Sequence, residues 1–361
     1  MRKTDSRRGR IAYEVAGLSW LAEASDPGAA VVPVLDHGAT WLEEPRLVSV
    51  SPTPRAAEEC GRALAHTHAA GASHLGAPPP GFEGAGWMGE APLSLPERPR
   101  ARGIAEVGQG GPRPDRARPG ERATASSSRE SWGAFYAHQR IAPYVSSRVF
   151  TAAERALIEK LCERLESGEF DHDQPRLVED AKNRHNNVGA ARTHGDLWHG
   201  NVMWTPGGAV LIDPAAQGGH AEEDLAALAV FGCPYYERIL AAYNEASPRE
   251  DGWRERLTLH QAHIIMIHCA VFGRSYVSDA VAIARRYASV TRPGPGRVAR
   301  LSPGLVRGFA EAGLDLRAGV GFRVGGVGCY LDARVPEGVG AGHEFVVGGE
   351  SHVSCPCRRR G

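Results

Sequence analysis

The chain of 361 residues is long enough for one large domain or two smaller domains with a buried core. Its 42 basic and 42 acidic residues cancel, so neither nucleic acid nor an anionic membrane is expected as a partner. The first ten residues lack an apolar secretory segment, and no apolar run approaches the roughly 20 residues that cross a bilayer. The seven scattered cysteines favour reduced thiols. We therefore expect a cytoplasmic protein.

Residues 1–50 carry the signals of a small lobe that contains both helix and strand. Residues 11–23 (IAYEVAGLSWLAE) place apolar side chains at helical spacing, which predicts an amphipathic helix. Residues 29–35 and 40–50 are rich in strand-forming residues. Residues 54–70 then predict the first helix of a larger lobe.

A break in composition separates that helix from those that follow it. Residues 98–129 are rich in Arg, Pro, Gly and Ser, and we expect a disordered insertion there. A helix is predicted to begin near residue 131. Thr151 followed by Glu154 is a capping-box pattern, which predicts that a second helix begins there. The polar residues 171–191 predict a loop or a poorly formed helix.

Residues 193–214 (THGDLWHGNVMWTPGGAVLIDP) are the most informative stretch. Two apolar runs flank a Pro-Gly-Gly turn, which predicts an antiparallel hairpin. Asn201 precedes the first strand and Asp213 follows the second, so both lie at the open end, and Asp196 lies on the loop that leads to it. Phosphoryl transfer uses such a set, because one carboxylate accepts a hydroxyl proton while a carboxylate and an amide oxygen hold Mg²⁺.

A metal-hydrolase site is an alternative interpretation of the same stretch. His194, Asp196, His199 and His220 are residue types that bind zinc. This hypothesis is weaker, because His194 and His199 do not have a recognised metal-ligand spacing. His66 and His68 lie two residues apart on a predicted helix and point to different sides, so we interpret them as ordinary helix residues.

The motif HGDLWHGN, followed by LIDPAAQGGHAEEDLAALAVFG, resembles the fructosamine kinase (ketosamine 3-kinase) family. That family is similar to the aminoglycoside phosphotransferases and shares their protein-kinase-like fold. The resemblance implies a two-lobed α/β fold, with a partial nucleotide-binding lobe over residues 1–50 and a mainly helical catalytic lobe over residues 51–291. This chain departs from the family pattern at His199, where a small residue is usual, and at Ala221, where arginine is frequent.

The resemblance also implies roles for residues near the N-terminus. Lys3 matches the strand lysine that holds the α- and β-phosphates of ATP, and Glu14 matches the glutamate that orients it. The family has further residues before this lysine, which form the phosphate-covering loop. We therefore expect a truncated small lobe and weak ATP binding.

In the central stretch the resemblance makes Asp196 the catalytic base and makes Asn201 and Asp213 the Mg²⁺ ligands. Trp198 is either a packing residue or a platform for the sugar-like part of the substrate, and His199 lies where it could alter substrate choice. Asp224 is expected to brace the catalytic loop.

The implied activity is ATP-dependent phosphorylation of ketosamines at the sugar O3, a protein-repair reaction on glycated proteins or small ketosamines, by a monomer or homodimer. An aminoglycoside or amino-alcohol phosphotransferase and an inactive truncated pseudokinase are the alternatives. Residues 292–361 are rich in Gly and Arg, and we expect a low-complexity, disordered tail. Cys355 and Cys357 have no second cysteine pair, so a zinc site there is not expected.

Overall fold

The computed structural model describes residues 1–97 and 131–289, together with the backbone of four strands beyond residue 314. The expected insertion at residues 98–129 lies outside the described residues. The chain divides into two compact units, Met1–Val290 and Thr291–Gly361. The first unit contains every residue discussed below as part of a site.

The first unit combines many helices with short strands. Its helices are α1 Arg10–Ala22, α2 Pro54–Ala69, α3 Trp132–Phe135, α4 Ala142–Val145, α5 Ala152–Glu166, α6 Arg176–Arg184, α7 Ala221–Ala227, α8 Tyr236–Ala246, α9 Trp253–His260, α10 Ala262–Phe272 and α11 Val277–Ser289. Its strands are β1 Arg2–Thr4, β2 Ala30–Val31, β3 Asp36–His37, β4 Trp41–Glu43, β5 Gly86–Met88, β6 Ala91–Leu93, β7 Ala191–Thr193, β8 Val202–Thr205, β9 Gly208–Leu211 and β10 Gln217–Gly219.

Two small sheets position the N-terminal residues. Strands β1, β4 and β3 form an antiparallel sheet in that order, in which Lys3 pairs with Leu42. Strand β2 instead pairs in parallel with β9, and the order of that sheet is β2-β9-β8. The predicted hairpin is therefore confirmed as β8 and β9, and a strand from the N-terminal part of the chain extends it.

Two buried clusters support these elements. The larger cluster packs helices α3, α5, α9, α10 and α11 together and includes Tyr136, Leu165 and Ile265. The second surrounds the hairpin and contains Leu197 and Leu211 together with residues of α2 and α8, such as Tyr243. Burial of these apolar side chains supplies the main driving force that fixes the hairpin. The loop that carries Asp196 is thus anchored in a core.

The structure bears out several local predictions and corrects one. Helices α1 and α2 lie where helical spacing predicts them. The polar residues 171–191, expected as loop or poor helix, contain the nine-residue helix α6. Its apolar face is narrow, with Val178 and Ala181 as its buried residues, and this explains the weak sequence signal. The helix predicted from residue 131 contains a π-helical segment, Tyr136–Ile141, just before Pro143, a residue that has no amide hydrogen.

One helical stretch of the described residues, Trp253–Ser289, is long and apolar enough to cross a membrane by length and composition alone. An 18-residue window of this stretch has a mean hydropathy of 1.2, and 39% of that window is buried inside the protein. Core helices of soluble proteins pass the same test, so this stretch is weak evidence for a membrane span.

The second unit contains two antiparallel hairpins among its described residues. Strand β11 Asp315–Val324 pairs with β12 Val327–Arg334, and β13 Phe345–Val347 pairs with β14 Ser351–Val353. The expectation of a disordered tail over residues 292–361 stays a prediction.

The capping box at the start of α5 gives a stability test. The Thr151 hydroxyl accepts from Glu154 N at 3.3 Å, and the Glu154 carboxylate accepts from Thr151 N at 2.8 Å. We expect Thr151→Ala to lower the free energy of unfolding by about 1 kcal/mol, because an amide of the first turn loses its acceptor. Thr151→Ser, which keeps the hydroxyl, should unfold like the parent in urea. Equal stability of all three proteins would contradict a structural role for the cap.

Candidate active site

The hairpin brings Asn201 and Asp213 to one end, as its geometry predicts. Val202 pairs with Leu211, and Ile212 N donates to Asn201 O at 3.1 Å, so the ladder extends to the last residue before Asp213. Asp213 then adopts a positive φ of 54°. Few residues other than glycine adopt this left-handed conformation, although aspartate and asparagine do so more readily than most. The turn at Asp213 ends the strand and leaves its side chain 43% exposed.

Asn201 connects the two carboxylate-bearing segments. Its Nδ2 donates to Asp196 O at 2.8 Å, to Asp196 Oδ2 at 3.3 Å and to Asp213 O at 3.5 Å. Asn201 is itself buried. The structure therefore brings the three predicted residues, Asp196, Asn201 and Asp213, to one point.

Asp196 is half-buried, and this environment alters its acidity. Desolvation raises the pKa of the Asp196 carboxyl to about 7. The amide of Asn201 opposes the shift, whereas the negative charges of Asp213 and Asp224 add to it. The Asp196 carboxyl can therefore both take up and release a proton near neutral pH.

Lys3 lies between two carboxylates. Its Nζ donates to Glu14 Oε1 at 2.7 Å and to Asp213 Oδ1 at 2.7 Å. Burial alone would lower the pKa of Lys3, but the charges of Glu14 and Asp213 outweigh it and the pKa is raised. Burial also raises the pKa of Glu14, although Lys3 partly offsets that shift. The structure thus brings together Lys3 and Glu14, and it joins both to the Asp213 end of the hairpin.

The loop before Asp196 is held by Asp224. This buried carboxylate accepts from His194 N at 2.6 Å and from Gly195 N at 2.9 Å. Gly195 has a φ of +83°, and a Cβ there would lie 2.0 Å from Ala215 O. Glycine is required by both the backbone conformation and the close approach.

A buried histidine that the sequence did not identify as functional completes this brace. His68 Nε2 lies 3.2 Å from Asp224 Oδ2, and its Nδ1 lies 2.9 Å from the Tyr243 hydroxyl. Burial alone would raise the pKa of the Asp224 carboxyl. The hydrogen bond and charge of His68, together with the His194 amide, outweigh the effect of burial, and the net result is a lowered pKa. His66 and His68 do diverge on α2 as expected, yet the local pattern could not identify Asp224 as a partner.

The two predicted substrate residues lie next to each other at the start of the hairpin. The Trp198 ring contacts His199 edge-on at a centroid distance of 5.4 Å and Phe231 at 5.7 Å. Trp198 also packs against the larger core cluster. His199 Nδ1 is buried and has no hydrogen-bond partner among the described residues. Packing and platform roles for Trp198 are both compatible with these contacts.

The four residues of the alternative zinc hypothesis do not come together. Among the residues that the structure describes, His220 groups with His172 and His260, not with His194, Asp196 and His199. His194 instead directs Nε2 to the Ile212 carbonyl at 2.9 Å. The geometry does not support a hydrolase site built from that set.

The brace at Asp224 yields a prediction that separates charge from shape. We expect Asp224→Asn to cost about 1.5–3 kcal/mol of unfolding free energy, because two buried amides and His68 lose a charged acceptor. Amide hydrogen exchange at His194 and Gly195 should accelerate. Asp180→Asn, on the exposed side of α6, is the matched control and should change neither quantity. Unchanged exchange in the Asp224 variant would show that the loop does not depend on this carboxylate.

Part of the chain matches a known protein family. A family model described as fructosamine kinase matches residues 119–289. The ketosamine-3-kinase of Mus musculus is 31% identical over 156 residues, which are 43% of this chain and 47% of the mouse protein. A probable ketoamine kinase of Enterococcus faecium is 40% identical over 87 residues, which are 24% of this chain and 31% of that protein. The chain thus spans between about a third and a half of the length of these curated relatives.

Solved structures extend the likeness over most of the chain. A Thermobifida fusca protein assigned as a fructosamine-3-kinase superposes with a TM-score of 0.61 at 33% identity, covering 80% of this chain and 85% of that one. A Haemophilus somnus structure with the same assignment has a TM-score of 0.54 at 18% identity, covers 79% of this chain and 82% of that one, and supports the fold alone. The fold is therefore the mixed, kinase-like one that the sequence implies, and the chain belongs to the fructosamine kinase family.

Proposed function

We propose that this chain is an ATP-dependent kinase that phosphorylates fructosamine and ribulosamine adducts of protein amines at the sugar O3, a step in protein deglycation. The observation that carries the proposal is the convergence of Asp196, Asn201 and Asp213 at one end of the hairpin, with the Lys3 ammonium bonded to Asp213. Relatives named for this chemistry support it, including the mouse ketosamine-3-kinase and a protein-ribulosamine 3-kinase of Oryza sativa.

The donor set fits Mg²⁺ and the phosphates of ATP. Asp213 offers a partly exposed carboxylate, and the Oδ1 of Asn201 accepts no hydrogen bond from the described residues. Hard oxygen donors of this kind suit Mg²⁺. When bound, ATP supplies the phosphoryl group and Mg²⁺ neutralises charge on the phosphates.

Each residue of the chain then has a distinct task. Glu14 holds the Lys3 ammonium in the orientation in which the ammonium can contact phosphate oxygens. Asp196 faces the acceptor hydroxyl and takes its proton as the oxygen attacks. Asp224 fixes the backbone of His194 and Gly195, and this fixes the position of the neighbouring residue Asp196. Positioning and charge neutralisation suffice for this chemistry, with no covalent intermediate.

We further assign residues 1–50 to a small nucleotide-binding lobe and residues 51–291 to a mainly helical catalytic lobe. The sheet β1-β4-β3, which presents Lys3, supports the first assignment. The substrates would be glycated proteins or small ketosamines, acted on by a monomer or homodimer in the cytoplasm.

A second candidate is an aminoglycoside or amino-alcohol phosphotransferase. The observation that favours it is His199, which places a bulky imidazole beside Trp198 where the family usually has a small side chain. An inactive pseudokinase is the third, since Lys3 occupies one oxygen of Asp213. Substrate selectivity separates the first two, and Mg²⁺-dependent turnover separates both from the third.

Mg²⁺-dependent ADP release from ATP tests the proposal. The acceptors are a ribulosamine, a fructosamine and an aminoglycoside, and the variant is Asp196→Asn. We expect release that requires a ketosamine and falls roughly 10²–10⁴-fold in the variant, because no carboxylate remains to accept the proton. ATP binding should be retained, and Asp180→Asn should behave like the parent. Full activity in Asp196→Asn would remove the mechanism, and release with the aminoglycoside alone would favour the second candidate.

The ammonium of Lys3 provides a separate prediction. We expect Lys3→Met to weaken Mg·ATP binding roughly 10–100-fold, because a charge-assisted contact worth about 1.5–3 kcal/mol is lost. Isothermal titration with a non-hydrolysable ATP analogue measures this. Lys160→Met, on the exposed face of α5, is the matched control. Equal affinities for the two variants would exclude Lys3 from the nucleotide site.

A further inference from the structure

Three histidines outside the proposed active site form a buried group. His172 follows α5, His220 precedes α7 as its N-cap, and His260 ends α9. Each offers a ring nitrogen within 4.8 Å of the others. The side chains of His172 and His260 are 1% and 0% exposed. The Trp132 ring covers the group at centroid distances of 5.0, 5.9 and 4.6 Å. We call His172, His220 and His260 the histidine cluster.

The spacing of the inward-facing atoms matches that of ligands around one small cation. His172 Nε2 and His260 Nε2 lie 3.1 Å apart. Glu222 Oε2 lies 3.3 Å from His260 Nε2 and 3.6 Å from His172 Nε2. Tetrahedral zinc, with bonds of about 2.0–2.1 Å, places its ligand atoms roughly 3.3 Å apart. These three atoms therefore form one face of such a tetrahedron without any backbone movement.

In both His172 and His260, Nε2 is the ring nitrogen that faces the cluster. His172 Nδ1 donates to the Phe170 carbonyl at 2.8 Å, which leaves the Nε2 lone pair facing the cluster. Metal-ligating histidines usually donate their second ring N–H in this way. His260 Nδ1 has no partner among the described residues. When the Nε2 of His260 faces an ion, the proton resides on Nδ1, and that N–H has no acceptor among the described residues.

His220 positions the other members. Its Nε2 donates to Asp173 O at 3.3 Å, and its Nδ1 accepts from Glu222 N at 3.2 Å. Its ring lies 4.2 Å from that of His172. His220 thus ties the segment that carries His172 to the first turn of α7, and both of its ring nitrogens are engaged in these hydrogen bonds.

The charges around the cluster select the class of cation. Glu222 is paired with Arg256, with Nη2 2.9 Å from Oε1 and Nε 3.3 Å from Oε2. The guanidinium offsets much of the carboxylate charge, so imidazole nitrogens must supply most of the binding. Imidazole ligands suit zinc, copper and nickel, whereas Mg²⁺ and Ca²⁺ require oxygen ligands.

We propose that His172, His260 and Glu222 bind one divalent transition cation, for which Zn²⁺ is the best fit, with His220 as a positioning residue and water in the remaining coordination position. The ion would join α7, α9 and the segment before α6 at one point. Helix α7 also carries Asp224, two residues beyond Glu222, and Asp224 braces the proposed catalytic loop. The site is structural, and its existence does not depend on the proposed kinase activity.

Metal content of the full chain, produced without a polyhistidine tag, tests the proposal. After stripping with chelator and dialysis against Zn²⁺, we expect one equivalent of zinc per chain by mass spectrometry. Co²⁺ in its place should give the intense visible bands of tetrahedral coordination. His172→Asn and His260→Asn should each weaken zinc binding at least tenfold. His138→Asn, at an exposed histidine, and a Cys355→Ser/Cys357→Ser variant should retain the equivalent.

Several outcomes would overturn the proposal. If the parent chain binds no equivalent of zinc and shows no tetrahedral Co²⁺ bands, the proposal is wrong, and no variant is needed to show it. If both cluster variants retain the full equivalent of zinc, the proposal is also wrong. If those variants fail to fold, ¹⁵N shifts of the histidine side chains decide on the parent chain. Zinc should shift the Nε2 signals of His172 and His260, and shifts confined to other histidines would contradict the site.

Discussion

The proposed active site depends on one buried negative charge. Asp224 accepts the amides of His194 and Gly195 and contacts His68, whose other ring nitrogen lies against the Tyr243 hydroxyl. A buried carboxylate is tolerated only when such partners compensate for lost hydration. Because these partners come from α2, α8 and the loop before Asp196, the helical core and the loop share a single anchor. The hairpin supplies the other fixed point, through strands that pack in the second buried cluster.

Much of this arrangement could be predicted because its signals are local. The turn within residues 193–214 defines the hairpin, and the hairpin alone places Asn201 and Asp213 at the same end. The capping box of α5 is likewise a pattern of four consecutive residues. Lys3 and Glu14 needed the family resemblance, because a lone lysine and a glutamate on a helix have no distinctive period. The structure brings Lys3 on strand β1 within 2.7 Å of Glu14 on helix α1.

What could not be predicted rests on contacts between distant segments. His68 and Asp224 are 156 residues apart, and His172 and His260 are 88 apart. The periodicity of a sequence indicates local helices and strands. It carries no information about contacts between residues this far apart. Helix α6 was predicted only as a loop or a poorly formed helix, because a helix with two buried side chains has little apolar periodicity. Of the grouped histidines, His220 alone belongs to the set of residues that the sequence offered as zinc ligands.

The ion pair between Lys3 and Asp213 limits when the N-terminal segment can complete its folding during synthesis. The two residues are 210 positions apart, and strand β2 also waits for its parallel partner β9. At about 5–20 residues per second, Asp213 is synthesised roughly 10–40 s after Lys3. During that interval the first strand and its lysine have only part of their final surroundings. The N-terminal segment can therefore complete its contacts with the hairpin only after residue 213 has been synthesised.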